Sequence, residues 1–222
     1  MLVALGTLAA AQTKGTEHTM AAVVQLLDYA ASNPNPAVRF RKSAMVLYCH
    51  SDASYLSEKH ARSRVGGFFY LGNDNEPTEN INPNGPIHVE SRILRNIMAA
   101  ASEAEIAALF HNGQEAVYLR QLLTELGHPQ LGPTMLTTDN STADGSANKR
   151  TKIKRSKAMD MRYYWVQDRV AMKQLAVGWS SGKHNLGDYF TKHQPPSHHI
   201  KVRPTYLYTG KGDSLTNSHT HI

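Results

Sequence analysis

The sequence predicts an α/β fold in which a mixed five-stranded sheet is flanked by helices. Three apolar segments in the first half are joined by connections too short to hold a helix, which predicts three antiparallel strands. Further strand-like segments in the second half are separated by segments with the apolar spacing of amphipathic helices, which predicts parallel strands. Strands joined by hairpins, followed by strands separated by helices, are typical of a mixed sheet.

The composition is that of an ordinary globular protein and restricts the class of function only weakly. The 222 residues are 41% hydrophobic and 19% charged, which allows one substantial core and a small appendage. The formal net charge of +6 permits a polyanionic partner. Cys49 is the single cysteine, which excludes an internal disulfide and favours a reducing compartment, so we do not expect a secreted protein. No apolar run approaches the ~20 residues that span a bilayer, so we expect no membrane partner.

Residues 1–43 are predicted to be mainly helical. We interpret MLVALGTLAAA as a helix rather than a signal peptide, because no basic residues precede it. A second helix has Thr19 as its expected N-cap and ends at Ser32-Asn33-Pro34. Its apolar face holds Met20, Val23, Val24 and Leu27. NPNPAVRFRKS is typical of a linker.

Three strands are predicted from residue 44 onward. AMVLYCHSD is the first and finishes in Asp52. RVGGFFYLG is the second and is followed by the turn signal Asn73-Asp74-Asn75. GPIHVESRIL alternates apolar and polar residues and is the third.

The second half is predicted to alternate helices with strands. A long helix begins at Ser102 and ends at Gly127. PTMLTTDN is the fourth strand and finishes in Asp139, and LAVGWSSG is the fifth, with a helix over AMDMRYYWVQDRVAMKQ between them. STADGSANKRTKIKRSK holds at most a short helix, and NLGDYFTK is a closing helical turn. Residues 196–222 are polar and are predicted to be a disordered tail.

Four carboxylates share a context that predicts a metal site. Asp52 and Asp139 end strands one and four, Glu105 lies in the first turn of the long helix, and Asp188 opens the last helical segment. Strand ends and helix starts can converge at one edge of a sheet. Crowded carboxylates raise one another's pKa, and divalent cations relieve that repulsion. Hard oxygen ligands suit magnesium or manganese.

Each acid also has a structural explanation that the sequence leaves open. Asp52 could be a turn residue at a strand end, and Asp139 could form an Asx turn with Asn140. Glu105 could close a capping box with Ser102, in which case Glu103 is the fallback ligand. Asp188 could be an acid that favours a helix N-terminus through the dipole.

Six short sequence motifs, called words below, resemble those of the ribonuclease H domain of copia-type retrotransposon polyproteins. The resemblance rests on six words in the family's order and covers roughly residues 44 to 195: HSDASY…ARSRVGGFFYLG, ASEAEIAAL, EAVYLRQLLTELG, TTDNSTA, KAMDMRYYWVQDRV and NLGDYFTK. One such word is a weak signal, whereas six in sequence are strong. The resemblance implies a ribonuclease H-like fold.

The resemblance also implies an activity and a site. In the family, four acids hold two Mg²⁺ ions, with Mn²⁺ as a substitute, and the enzyme cleaves the RNA strand of an RNA–DNA hybrid. Carried over, these acids are Asp52, Glu105, Asp139 and Asp188. Glu105 is chosen over Glu103 because the Glu-Ile-Ala-Ala-Leu run that it begins matches the family's pattern.

Residues 1–43 resemble the helix that connects the nuclease to a reverse transcriptase. The polymerase's Tyr-x-Asp-Asp word is absent from the sequence, so we do not expect polymerisation. The resemblance therefore implies part of a longer polyprotein, with the remainder of a reverse transcriptase as a partner. It places the protein in cytoplasmic virus-like particles or the nucleus.

Two further features are candidates for function. The basic run KRTKIKRSK could grip phosphates, act as a nuclear address or be a solvated loop, and its candidate nucleic-acid-binding residues are Lys149, Arg150, Lys152, Lys154 and Arg155. His184 could assist proton transfer or product release, or be a solvated loop histidine.

The sequence departs from the family pattern in two places. The family's Lys-His-Ile-Asp is Lys157-Ala158-Met159-Asp160 here, and the loop LGNDNEPTENINPNGP is longer than usual. An inactive nucleic-acid-binding relic of the same domain is therefore the alternative function. Convergent acids favour the enzyme, whereas acids paired with Lys or Arg favour the relic.

Overall fold

The five predicted strands form one mixed sheet in the computed structural model, which describes residues 1–77, 83–149 and 157–208, without the side chains of 157–160. The strands are β1 (Val46–Glu58), β2 (Arg62–Gly72), β3 (Pro86–Ile93), β4 (Thr134–Thr138) and β5 (Leu175–Trp179). Their order across the sheet is β3-β2-β1-β4-β5. β1 and β3 each pair antiparallel with β2, whereas β4 pairs parallel with both β1 and β5. The predicted mixed five-stranded sheet is confirmed.

Six helices accompany the sheet in the described residues. They are α1 (Leu2–Ala11), α2 (Glu17–Ala31), α3 (Ala101–Glu125), α4 (Ser141–Ala147), α5 (Lys157–Ala171) and α6 (Pro196–Tyr206). None of the helices in this part of the chain has the length and apolar character needed to cross a membrane.

The sheet is covered on both faces. On one face, Leu47 and Phe69 pack with Leu109 of α3 and Val166 of α5 in the main core. On the other face, Phe68 and Tyr70 pack with Leu186, Phe190 and Tyr206. Successive side chains of a strand point to opposite faces, so neighbouring residues such as Phe68 and Phe69 belong to different cores. This double coverage explains why β2 is buried almost throughout.

Strand β1 is longer than predicted, and Asp52 lies inside it rather than at its end. The antiparallel pairing with β2 continues past Asp52, which lies opposite Gly66. The parallel pairing with β4 stops earlier, at His50 and Thr137. Asp52 therefore lies just beyond the last β1–β4 pair, on the side of β1 where β4 has ended.

Three predicted boundaries need correction. The N-cap of α2 is Thr16 instead of Thr19, and the two threonines form a reciprocal capping box. Helix α3 begins at Ala101 instead of Ser102, and its N-cap Ala100 makes no side-chain cap, so the alternative of a capping box between Ser102 and Glu105 is not realised. The predicted disorder from residue 196 is wrong for Pro196–Tyr206, which form α6 because Tyr206 packs against aromatic residues of the sheet face. Residues 209–222 lie outside the described residues.

Candidate metal centre

Three of the four predicted acids converge at one edge of the sheet. One carboxylate oxygen from each of Asp52, Glu105 and Asp139 lies within 4.8 Å of the other two. Asp52 and Glu105 are only 5% and 7% exposed, and Asp139 is half-buried. Acidic oxygens that surround a common point are the ligands that Mg²⁺ and Mn²⁺ prefer.

The three acids come from different elements that meet at this edge. Asp52 lies on β1, just past the end of its pairing with β4, and Asp139 directly follows β4. Glu105 lies near the start of α3, which packs across both strands. Glu103 instead accepts a hydrogen bond from the backbone N–H of Ala99, before the helix, and does not belong to the group. The structure therefore places Glu105, and not Glu103, beside Asp52 and Asp139.

The electrostatics of the group disfavour three negative charges. Burial raises the pKa of Asp52, and nearby Asp188 and Asp139 raise it further, although the hydrogen bond from Thr191 opposes the shift. Burial also raises the pKa of Glu105, with added repulsion from Asp52 and Asp139. The pKa of Asp139 is raised by burial and by Asp188. A bound cation would reverse these shifts, because it favours the ionised carboxylates.

The segment after β5 closes over the acids. Thr191 Oγ1 donates a hydrogen bond of 2.8 Å to Asp52 Oδ2, and Asn185 Nδ2 lies 3.4 Å from Asp52 Oδ1. A Cβ on Gly187 would lie 3.0 Å from the Cβ of Asp52, and a Cβ on Gly182 would lie 2.7 Å from Asp139 Oδ2. Close approach to the backbone of Asp52 therefore favours glycine at position 187, whereas a side chain at position 182 would displace the Asp139 carboxylate.

Asn185 and Thr191 are functional candidates that the sequence reasoning missed. Both belong to the word NLGDYFTK, of which only Asp188 was chosen as a site residue. Asn185 and Thr191 are the first and seventh residues of NLGDYFTK, so the motif itself pointed to them. The local sequence gave no indication that their side chains reach Asp52.

Asp188 lies at the rim of the group and is not among the three convergent acids. Its carboxylate forms an ion pair of 2.5 Å with Lys192 Nζ, and Gln194 Nε2 lies 3.3 Å from its other oxygen. Its charge still raises the pKa of Asp52 and Asp139. Within the described residues, no salt bridge joins Asp52, Glu105 or Asp139 to a Lys or Arg side chain.

The two remaining candidates from the sequence are His184 and the basic run that begins at Lys149. His184 ends the short 3₁₀ turn Gly182–His184, and its buried Nδ1 has no hydrogen-bond partner among the described residues. Lys149 is exposed just after α4, with a positive φ of 58°. Arg150, Lys152, Lys154 and Arg155 lie outside the described residues.

Comparison with known proteins identifies relatives of the chain. No protein-family model matches it. It is 26% identical over 179 residues to the retrovirus-related Pol polyprotein from transposon RE1 of Arabidopsis thaliana, covering 80% of this chain and 12% of the relative. It is also 26% identical over 184 residues to the corresponding polyprotein from transposon TNT 1-94 of Nicotiana tabacum, covering 83% of this chain and 13% of the relative. The chain is a homologue of retrovirus-related Pol polyproteins from plant transposons.

This Pol homologue spans only about an eighth of the length of those relatives, between 12% and 13%.

The strand order β3-β2-β1-β4-β5, with β4 and β5 parallel to β1, is the ribonuclease H-like arrangement, so the predicted fold class is confirmed. Similar solved structures include the N-terminal RNase H domain of a Mycobacterium tuberculosis protein, with a TM-score of 0.49, 11% identity and coverage of 66% of this chain and 91% of that one. The RNase H domain of PFV has a TM-score of 0.42, 19% identity and coverage of 66% and 90%.

Proposed function

We propose that this chain is a metal-dependent endonuclease that hydrolyses the RNA strand of RNA–DNA hybrids. The observation that carries the proposal is the convergence of Asp52, Glu105 and Asp139, whose carboxylate oxygens lie within 4.8 Å of one another. These acids come from three separate elements of a ribonuclease H-like fold. Homology to retrovirus-related Pol polyproteins from transposons supports the same function, because the sequence motifs of this chain resemble the ribonuclease H domain of such polyproteins.

The residues fit a divalent cation. Glu105 Oε2 is buried and has no hydrogen-bond partner in the described residues, although a buried carboxylate oxygen normally has one. A cation at the common point would provide that partner and neutralise the repulsion. Asp52, Glu105 and Asp139 would hold a first Mg²⁺, and Asp188 would share in a second, with Mn²⁺ as a substitute for either ion. When bound, the ions supply an activated water for in-line attack and stabilise the leaving 3′-oxygen.

The chain's own residues orient this machinery. Thr191 and Asn185 contact the two oxygens of Asp52 from the segment that closes the site, and so fix the plane of its carboxylate. Asp52 on β1 and Glu105 on α3 are buried, so their carboxylates are held in a fixed geometry. Little reorganisation would therefore be needed when the ions and the scissile phosphate bind. Choice of a hybrid over a DNA duplex would rest on groove shape and on contacts to 2′-hydroxyl groups.

The partners in this proposal are the hybrid and the remainder of a reverse transcriptase. The net charge of +6 favours association with a polyanion. Basic residues 149–155 would contribute phosphate contacts. The site of action would be a cytoplasmic virus-like particle or the nucleus.

A second candidate function is binding of nucleic acid without cleavage. The ion pair between Asp188 and Lys192 favours it, because an acid held by a lysine is less available to a metal ion. In the described residues, no Lys or Arg forms a salt bridge with the three acids of the first ion site. The two candidate functions differ in whether that first site is sufficient for hydrolysis.

A cleavage assay distinguishes them. The 222-residue chain is incubated with a hybrid labelled on either strand, with Mg²⁺ or with a chelator. We expect Mg²⁺-dependent cleavage of the RNA strand alone, loss of cleavage in Asp52→Asn, and wild-type cleavage in the matched control Glu103→Gln. Binding of the hybrid without cleavage would support the second function, and cleavage by Asp52→Asn would overturn the proposed site.

A further inference from the structure

Helix α6 is anchored to the segment that closes the acid site. The Tyr206 hydroxyl donates a hydrogen bond of 3.0 Å to the carbonyl oxygen of Leu186. The Tyr206 ring stacks on Tyr189 with a centroid distance of 4.6 Å and an interplanar angle of 17°. It also meets Phe190 edge-on at 5.4 Å. One tyrosine of α6 therefore contacts three residues of the segment.

This part of the segment lies directly beside the groups that contact Asp52. Leu186 is flanked by Asn185, which contacts Asp52 Oδ1, and by Gly187, which packs on the Asp52 backbone. The N–H of Leu186 lies 3.3 Å from His50 Nδ1 on β1, so the backbone of Leu186 is held from β1 on one side and from α6 on the other. A displacement of Leu186 would therefore be transmitted to the contacts on Asp52.

Helix α6 is in turn fixed to the N-terminal part of the chain. His199 lies between two tyrosine hydroxyls, with Nδ1 2.6 Å from Tyr189 and Nε2 2.8 Å from Tyr29 of α2. A neutral imidazole has one donor and one acceptor nitrogen, so it can satisfy both hydroxyls together. Arg203 Nη1 donates a hydrogen bond of 2.7 Å to Asn33 Oδ1.

The backbone continues this attachment beyond α6. Ala37 and Tyr208 exchange two backbone hydrogen bonds of 2.8 Å each. Residues 29–37 are therefore connected through α6 to residues 186–190, which lie beside the acids.

We propose that α6 is a positioning element for the metal centre, and that Tyr206 is its positioning residue. The inference rests on the proposed function, since it concerns the same acids. Among the described residues, Tyr206 forms no hydrogen bond with any of the four acids. It acts by holding Leu186, so that Asn185 and Thr191 keep the Asp52 carboxylate in one orientation. If α6 only covered an apolar face, the ring of Tyr206 would be sufficient and its hydroxyl would have no effect on the site.

The test is Tyr206→Phe in the 222-residue chain, because this change removes the hydroxyl and keeps the stacked ring. Tyr118→Phe is the matched control, since Tyr118 lies on α3 and is 68% exposed. Three quantities are measured: amide hydrogen exchange of residues 186–191, Mn²⁺ affinity by calorimetry, and the steady-state kinetics of hybrid cleavage (kcat with KM). Far-UV circular dichroism confirms that each variant is folded.

We expect faster exchange across residues 186–191 and a loss of about two- to tenfold in Mn²⁺ affinity and in kcat, the size of one hydrogen bond, with KM unchanged. Tyr118→Phe should match the wild type in all three quantities. Wild-type exchange and Mn²⁺ affinity in Tyr206→Phe would overturn the inference while leaving the proposed function intact. Faster exchange and weaker Mn²⁺ binding in a chain that cleaves no hybrid would support the positioning role and refute the proposed activity.

Discussion

The hydroxyl of Thr191 donates a hydrogen bond of 2.8 Å to Asp52 Oδ2, which joins the C-terminal segment to the central strand of the sheet. Both groups are buried, so the bond is shielded from competition by solvent. The hydrogen bond orients the Asp52 carboxylate. It also favours the ionised form and so opposes the rise in the Asp52 pKa that burial causes.

We predict that Thr191→Ala lowers Mn²⁺ affinity and kcat by about ten- to a hundredfold, because a hydrogen bond to a charged group is worth about 1.5–3 kcal/mol. Thr191→Ser keeps the hydroxyl and should recover most of both. Calorimetry and hybrid cleavage measure the two effects. Equal losses in the Ala and Ser variants would show that the methyl group of Thr191 matters and that the hydrogen bond does not.

A second prediction concerns Gly66, which lies opposite Asp52 in β2. A Cβ there would lie 2.5 Å from the carbonyl oxygen of Gly187 and 2.6 Å from Thr191 Cγ2. Gly66→Ala should therefore push the closing segment away, reduce the free energy of unfolding by about 1–3 kcal/mol and weaken Mn²⁺ binding. Gly132→Ala is the control, since its Cβ would meet nothing within 4 Å. Urea denaturation should separate the two variants, and equal stabilities would contradict the described packing.

Asp188 is predicted to be the most tolerant of the four acids. It lies at the rim of the group and is already paired with Lys192. We expect Asp188→Asn to retain measurable hybrid cleavage, with a larger residual fraction in Mn²⁺ than in Mg²⁺, because Mg²⁺ demands more regular coordination. Initial rates in the two metals test this expectation. Complete loss of activity in both metals would make Asp188 an essential ligand, equal to Asp52.

The metal-free protein should lose stability as pH rises above about 6.5. The folded-state pKa values of Asp52 and Glu105 lie above their ordinary values near 4, so the folded state binds more protons than the unfolded state over that interval. Asp52, with a pKa of about 7, and Glu105, with a pKa of about 9, therefore lower the free energy of unfolding as pH rises from about 4 to those values. Burial lowers the pKa of His50 to about 4, so His50 acts in the opposite direction up to its ordinary value of 6.5, and the fall is expected above that pH. Saturating Mg²⁺ should flatten this dependence. Urea titrations at several pH values measure the slope, and a rise in stability between about pH 6.5 and 9 would refute the raised pKa values of Asp52 and Glu105.

Much of the site could be predicted from sequence, because each acid lies in a distinctive local word. Asp139 follows a short buried strand, and Glu105 begins a run that the resemblance singles out. The continuation of β1 beyond Asp52 could not be predicted, because it depends on pairing with β2 and not on local pattern. The same limit applies to Thr191 and Asn185, whose contacts with Asp52 join residues more than 130 positions apart.

Helix α6 was missed for a related reason. It has no apolar stripe of helical spacing and contains Pro204, so its local signal is weak. Its stability comes instead from tertiary contacts of Tyr206 with aromatic residues on the sheet face and from those of His199 with two tyrosines. For Asp188 the motif NLGDYFTK correctly indicated a position near the acids. It did not reveal that Lys192, four residues later, would form an ion pair with the Asp188 carboxylate.

Calorimetric titration with Mn²⁺ reports directly on whether Asp52, Glu105 and Asp139 form a metal centre. We predict saturable binding to the wild type and to the control Glu103→Gln, and loss of that binding in Asp52→Asn and in Asp139→Asn. Both Asn variants should also melt at a slightly higher temperature without metal, because each relieves repulsion among crowded carboxylates. Undiminished Mn²⁺ binding by either Asn variant, or absence of binding to the wild type, would contradict a metal centre built on these acids.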